Sequence, residues 1–429
     1  MHNELKKTLF ISFYAPPLLG GPQNLYNLLR DTDPNSYCIL TSFYNINNIS
    51  AKIGTWLEGE YIFYDNPKIT KEKAREQGSE NIKYGKRREF IGRLKSILKR
   101  SSLMRMLNGT FIILIQIFAI LRQKKVIYEK NIDIMVGFSD YGPAIISTYL
   151  LHKLTGKPFH IFLFDLYKGN NLLFPGKLIA GIFEPKIFED AQKIIVTNEG
   201  TAEFYKKYYG EKILKKIVVI HNSTFPEPYI KLQNNQQIHR PLSPYNIVFT
   251  GSIAWPQLES LKNLIKAVEE INDIDIKLKI YSPNPKDYLK KIGIVESKKV
   301  EILVASPKEM PEIQSKADIL FLPLSWHTKS QAIIDTATPG KLNDYMIAGK
   351  PILIHAPASA FLTKYAKEGN FAEVVDEENI EKLKKAIKKL LTDKEFSKTI
   401  TKNAKNIFFE NHDANKNAVI FESLFLENN

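Results

Sequence analysis

The stretch ADILFLPLSWHTKSQAIIDTATPGKLNDYMIAGKPILIHAP, residues 317–357, decides how the rest of the chain is read. Ile319 to Leu324 is a short apolar run of the kind that fills a buried parallel strand. A polar loop then carries Thr338-Pro339-Gly340-Lys341 into a helix whose apolar face is Leu342, Tyr345 and Met346. Gly349-Lys350-Pro351 ends that helix, because glycine suits the cap and proline cannot continue it. Ile352 to Ile354 is the next buried strand. A loop that feeds a helix start at the C-terminal edge of a parallel sheet is where α/β folds hold phosphorylated ligands.

The same alternation extends outward in both directions. Upstream, strand-like runs lie at Ile247 to Thr250, Lys277 to Tyr281 and Val300 to Val304; downstream, one lies at Ala372 to Val375. Two amphipathic helices follow, Glu381 to Thr392 and roughly Phe396 to Leu426. A second series precedes all of these, at Thr8 to Tyr14, Ser36 to Ser42, Ile132 to Gly137, His160 to Phe164, Lys193 to Thr197 and Ile217 to Ile220. Between about Asn222 and Tyr245 the pattern pauses in a Pro-, Asn- and Gln-rich segment. The expected fold class is therefore α/β, with two doubly wound parallel-sheet domains facing across a cleft. The expected boundaries are 1–225 for the first domain, 226–244 for a linker, 245–405 for the second domain and 406–429 for a terminal helix.

Size and composition agree. A chain of 429 residues with 44% hydrophobic content can fill two ordinary cores. One cysteine, Cys38, excludes an intramolecular disulfide and any cysteine-based zinc cluster, and fits a reducing cytoplasm. No signal peptide is visible. The longest apolar run, Thr110 to Leu121, is too short for a bilayer, which needs roughly 20 residues. The net charge of +14 is concentrated: Lys86 to Arg105 holds eight basic residues and one acid, Glu89. That patch attracts phosphate, and peripheral contact with anionic membrane explains it better than nucleic acid, since no nucleic-acid motif accompanies it. The apolar run behind it reads most simply as a helix packed on the first sheet.

Together these segments resemble a GT-B glycosyltransferase, closest to the family 4 (group 1) type. The resemblance is carried by YAPPLLGGPQNLYNLL (Tyr14 to Leu29), FSDYGPAIISTYLLHKLTGKPF (Phe138 to Phe159) and AQKIIVTNEGTAEFYKKYYG (Ala191 to Gly210). It continues through VVIHNS (Val218 to Ser223) and VFTGSI (Val248 to Ile253), and is most specific in ADILFLPLS with PGKLNDYMIAGKPILIHAP. It implies an N-terminal acceptor domain, a C-terminal nucleotide-sugar domain and a last helix that crosses back. It also implies transfer with retention and no metal or other cofactor, the donor being a UDP or GDP sugar and the acceptor a polysaccharide or lipid-linked glycan. The place would be the cytoplasm or the inner face of the cell membrane. Without a metal, basic side chains and backbone amides must stabilise the leaving diphosphate.

Carried over residue by residue, the resemblance puts diphosphate contacts at Thr338, Pro339, Gly340, Lys341 and Leu342, and the donor ribose at Asp344, where glutamate is usual. Eight residues earlier the family has a second glutamate that meets the donor sugar. Thr336 stands there, with Asp335 beside it as the available carboxylate. Gly251-Ser252 replaces a glycine and an arginine that clamp the diphosphate, and Lys262 or Lys329 are the candidate substitutes; a lost charge-assisted contact is worth roughly 1.5–3 kcal/mol. Ser306, after a strand, lies near the expected nucleobase position. In the first domain Gly20 and Gly21 allow close approach of a ligand. Asp165, at a strand end, is the candidate catalytic carboxylate there, with Asp140 and Asn170 or Asn171 near the acceptor. Asp31-Thr32-Asp33 and Asp273-Ile274-Asp275 match a metal pattern only in passing, and His221, His327 and His355 lack ligand spacing. Because the usual glutamate and arginine are absent, a GT-B scaffold that binds a nucleotide, glycan or partner without turnover is the alternative.

Overall fold

The computed structural model describes residues 5–18, 20–48, 54–79, 102–139, 142–170, 176–235, 244–328 and 330–426. Asp140, Asn171, Lys329 and most of the Lys86 to Arg105 stretch lie outside them. The chain divides into two compact units, Met1–Ile220 with Ala418–Asn429, and His221–Asn417.

The first unit is built on seven strands: β1 (Thr8–Ile11), β2 (Tyr37–Thr41), β3 (Glu60–Phe63), β4 (Ile134–Phe138), β5 (Phe159–Leu163), β6 (Lys193–Val196) and β7 (Ile217–Val219). They pair in the order β3-β2-β1-β4-β5-β6-β7, all parallel. Every residue of β1, β2, β4 and β5 is buried, which is why each reads as a continuous apolar run instead of an alternating one. On one face Phe10, Phe138 and Phe162 pack with Phe421 and Phe425 from the far end of the chain. The Phe10 ring lies 6.0 Å from each of those two.

The second unit has six parallel strands: β8 (Tyr245–Thr250), β9 (Ile276–Tyr281), β10 (Val300–Leu303), β11 (Ile319–Pro323), β12 (Ile352–His355) and β13 (Glu373–Val375). Their order is β10-β9-β8-β11-β12-β13. Helices Trp255–Glu270 and Ile380–Thr392 cover one face through Leu261, Leu264, Leu383 and Ile387. Helix Lys341–Ile347 covers the other through Leu342, Tyr345 and Met346, all fully buried. In both sheets strand order reverses beside the first strand. That leaves a crevice at the carboxyl ends of β1 and β4, and another at those of β8 and β11.

Three local expectations change. Residues 227–235, within the segment read as linker, form a helix of the second unit. Tyr229 and Gln233 pin it: the Tyr229 hydroxyl donates to Gln314 Oε1 (2.7 Å), and Gln233 Nε2 donates to the Ile347 carbonyl (2.7 Å). The single terminal helix from Phe396 is broken into Lys394–Ile407, a π-helical turn Phe408–His412 and Ala414–Ser423. The break falls where Thr224 inserts: its N–H donates to the His412 carbonyl, and its carbonyl accepts from Ala414 N, both at 3.1 Å. The helix holding Thr110 to Leu121 runs Ser102–Leu121. Ile117 and Ile120 are buried, but Phe111, Ile112, Leu114, Ile115 and Phe118 are exposed, so it is not the wholly packed helix expected.

Candidate functional site

The crevice of the second unit is formed where β8 ends. Gly251 follows Thr250 with φ of 115°, a backbone region that side-chain-bearing residues rarely adopt. The lack of a Cβ there also leaves room for Lys341, whose ammonium would sit 3.2 Å from one. That ammonium lies 3.9 Å from the centre of the Phe249 ring. Among the described residues it makes no hydrogen bond or ion pair. Burial alone pulls its pKa down from the usual lysine value to about 7.

A buried hydrogen-bond chain fixes this placement. Tyr345, one helical turn beyond Lys341, accepts from Thr250 N–H at 2.9 Å, and its hydroxyl lies 3.1 Å from Thr250 Oγ1. Gln314 Nε2 donates to the same Thr250 oxygen at 3.2 Å and accepts from Tyr229 through Oε1. The helix that presents Lys341 is thereby tied to the strand end that presents Gly251. Sequence patterning missed Gln314 and Tyr229, and marked Tyr345 only as apolar filling. Nothing in their spacing announces the chain, because Thr250 and Tyr345 are 95 positions apart.

The loop before Lys341 is held from the other side. Asn222 Nδ2 donates to the Thr338 carbonyl at 3.1 Å, and Leu342 N–H donates to the Pro339 carbonyl at 2.9 Å. Thr338 Oγ1 is buried without a hydrogen-bond partner among the described residues. Gly340 is exposed, and a side chain added there would meet nothing within 4 Å. Asp344 is half-buried, and desolvation lifts its carboxyl to about 6 against an opposing hydrogen bond from Thr224.

Other expected donor residues fall differently. Thr336 is buried, and its hydroxyl donates back to the Ala332 carbonyl at 2.8 Å. Neighbouring Asp335 accepts from Gln331 Nε2 (2.9 Å) and Ser359 Oγ (2.7 Å), which fixes its carboxylate. Ser252 is exposed beside Gly251. Lys262 does not join Lys341. Its ammonium lies against Gly293, in the connection that leads to β10. Ser306 follows β10 and caps a short 3-10 turn, both its N–H and Oγ donating to Glu309 Oε2 at 2.7 Å.

In the first unit Asp165 follows β5, and its carbonyl accepts from Ser139 Oγ at 3.1 Å. Its side chain reaches solvent, yet the protein crowded around it raises the carboxyl above its ordinary value by desolvation. The described part of the following loop, up to Asn170, is braced by a residue that no sequence pattern singles out. Buried Glu184 accepts from Lys168 N–H (2.8 Å) and from the Tyr209 hydroxyl (2.7 Å). Gly20, with φ of 89°, turns the chain out of β1 toward the helix that Gly21 opens.

Among the described residues, one group of metal-capable side chains converges: Glu259, His327 and Glu378, with ligand atoms within 4.8 Å of one another. Sequence spacing did not show it, since the three come from distant segments. It already serves to hold the loop after β11. Glu259 Oε2 accepts from the backbone N–H of Trp326 (2.8 Å) and His327 (3.0 Å). His327 Nε2 lies 3.3 Å from Glu378.

Comparison with known proteins places this geometry. Residues 244–393 match the family model described as group 1 glycosyl transferases. No curated protein sequence is a significant match. Among solved structures, HepE from Anabaena in complex with UDP and glucose is 13% identical, with a TM-score of 0.61 over 98% of this chain and 99% of that one. Sucrose-phosphate synthase from Thermosynechococcus elongatus is also 13% identical, with a TM-score of 0.63 over 97% and 98%. WaaG, a glycosyltransferase involved in lipopolysaccharide biosynthesis, is 13% identical with a TM-score of 0.55 over 97% and 99%. The fold is GT-B, and residues 244–393, which include Lys341, are similar to the group 1 glycosyl transferases.

Proposed function

We propose that the protein is a retaining, metal-independent glycosyltransferase. It moves a sugar from a nucleoside diphosphate, of UDP or GDP type, to a polysaccharide or lipid-linked glycan. The observation that carries this reading is the ammonium of Lys341, desolvated beside Phe249 and Gly251 and lacking a carboxylate partner among the described residues. Lys341 is half-buried, and a desolvated cation without a counter-ion is costly, a cost that an anionic ligand removes. The match of residues 244–393 to group 1 glycosyl transferases and the UDP held by HepE make a nucleotide diphosphate the fitting anion.

In the proposed reaction the anomeric C–O bond to the diphosphate breaks, and the electron pair leaves with the nucleoside diphosphate. Lys341 meets the charge that develops there. The acceptor hydroxyl forms the new glycosidic bond on the same face, and its proton passes to the departing phosphate oxygen. Asp344 receives the ribose hydroxyls. Asp335, held by Gln331 and Ser359, takes the donor-sugar contact that Thr336 cannot make. Asp165 orients the acceptor.

A thermal-shift screen with UDP, GDP and their sugars, followed by assays of donor hydrolysis and transfer, tests the reading, because a ligand that binds only the folded state raises its stability. Binding and turnover support it. Binding without turnover on any acceptor tried favours the scaffold alternative, for which the inward-turned hydroxyl of Thr336 is the supporting observation. Neither binding nor turnover ends the enzyme reading.

A further inference from the structure

Three separate segments of the second unit bring metal-capable side chains to one point at the carboxyl edge of its sheet. Glu259 lies in helix Trp255–Glu270, His327 in the loop after β11, and Glu378 in the connection from β13 to helix Ile380–Thr392. Glu259 divides its two oxygens. Oε2 accepts from the backbone N–H groups of Trp326 (2.8 Å) and His327 (3.0 Å), which fixes the carboxylate. Oε1 is left for the imidazole and lies 3.7 Å from His327 Nε2. Glu378 Oε2 lies 3.3 Å from the same nitrogen.

Those spacings fit a bound ion. Nitrogen and oxygen ligands of a tetrahedral centre, each about 2.0–2.2 Å from the metal, stand roughly 3.4 Å from one another. The two contacts to the imidazole are 3.3 and 3.7 Å, and all three ligand atoms lie within 4.8 Å. The side chains of His327 (79% exposed) and Glu378 (40%) are free to close the remaining gap, while Glu259 is already held.

Charge points the same way. The chain carries a net charge of +14, yet among the described residues no lysine or arginine pairs with Glu259 or Glu378. Two carboxylates drawn to one point repel each other, and a divalent cation cancels that charge. One imidazole nitrogen with two carboxylate oxygens is a mixed donor set. It suits zinc or a neighbouring transition ion, whereas calcium and magnesium favour shells made of oxygen alone.

We propose that Glu259 Oε1, His327 Nε2 and Glu378 Oε2 bind a divalent transition-metal ion of the zinc class, with water completing the coordination. The backbone bonds to Glu259 Oε2 are then the outer support that orients one ligand. The ion ties the loop after β11 to the segment after β13 and stiffens that edge of the sheet. None of the three residues has a part in the proposed transfer, so the site is structural and stands or falls apart from that reading.

Titration calorimetry of the full chain, stripped with EDTA and dialysed, tests it with zinc chloride against magnesium chloride. One equivalent of zinc is expected to bind, and the melting temperature should rise with zinc concentration. Cobalt(II) in place of zinc should quench the indole of Trp326, the residue next to His327, and Trp326→Phe should lose that quenching. His327→Ala and Glu378→Gln alter exposed side chains and should each lose at least about tenfold in zinc affinity. Both should keep the metal-free melting temperature and any nucleotide-dependent shift, which separates this site from the donor site. Zinc bound equally by the wild type and His327→Ala sits on other side chains and overturns the proposal. So does the absence of saturable one-to-one binding. So does a rise in melting temperature that magnesium produces equally well, because the imidazole would then have no share in the site.

Discussion

The ammonium of Lys341 lies 3.9 Å from the centre of the Phe249 ring, with no carboxylate against it among the described residues. A cation over an aromatic face gains about 0.5–2 kcal/mol, less than the several kcal/mol lost when an ammonium is desolvated. The unliganded site therefore holds an incompletely compensated positive charge at the sheet edge.

Replacing Lys341 by Met should move stability and binding in opposite directions. The unliganded protein gains stability, because a desolvated cation becomes an apolar chain of similar length. The gain is fully present below about pH 7 and shrinks as pH rises toward the ordinary lysine range, since the folded-state pKa lies below the unfolded one. Nucleotide affinity falls by roughly 1.5–3 kcal/mol, the value of a hydrogen bond to a charged group. Thermal melts across pH and titration calorimetry with the donor nucleotide read both.

The pH dependence of donor binding should reflect the same residue. With Lys341 at about 7 in the free protein, affinity for a nucleotide sugar should hold below neutrality. Above it, affinity should decline about tenfold per pH unit until the bound lysine itself deprotonates. An ordinary exposed lysine would leave binding flat until about pH 10. A flat profile through pH 9 would remove Lys341 from the diphosphate site.

Asp344→Asn separates a structural cost from a binding role. Burial lifts the Asp344 carboxyl to about 6, above its unfolded value, so its contribution favours the fold at low pH and is lost as pH rises through 6. The asparagine variant should be more stable than wild type above pH 6, by an amount on the order of 1 kcal/mol, with the gap closing as pH falls toward 4. Its affinity for nucleotides should nevertheless fall, and affinity for inorganic diphosphate should not. Equal losses for both ligands would place Asp344 away from the ribose.

Gly340→Asp should abolish the nucleotide-dependent thermal shift by setting a negative charge against the diphosphate. The position is open and its φ of −56° is ordinary, so the substitution should leave the stability of the unliganded protein within about 0.5 kcal/mol of wild type. An unchanged shift would mean that the phosphate lies elsewhere.

Fold and site were legible to different degrees because they are written at different ranges. Strands such as β4 and β11 are short apolar runs buried on both faces, and a local pattern suffices to see them. The edge strand β3, with Glu60 exposed at its start, carries no such run, so a local pattern does not reveal it. Exposure of the Phe111 to Phe118 stripe was misjudged because apolar periodicity tells which residues share a face, not whether a neighbour covers it. Lys341 was legible as a residue after a glycine in a polar loop. Its perch on Phe249, 92 positions earlier, and the Thr250–Tyr345 bond are properties of chain crossings that no local window contains.

The return of residues 418–426 to the first unit sets an order of completion during synthesis. Phe421 and Phe425 are buried against Phe10 and Phe162, so the earliest sheet to be made lacks part of its core until nearly the whole described chain has been translated. The second unit is one uninterrupted stretch, 221–417, and has all its own residues first. The usual sequence, in which the N-terminal domain closes before the next begins, is therefore reversed. A nascent chain stopped between them exposes the aromatic floor of the first sheet, which makes that interval the point at which a chaperone has most to protect.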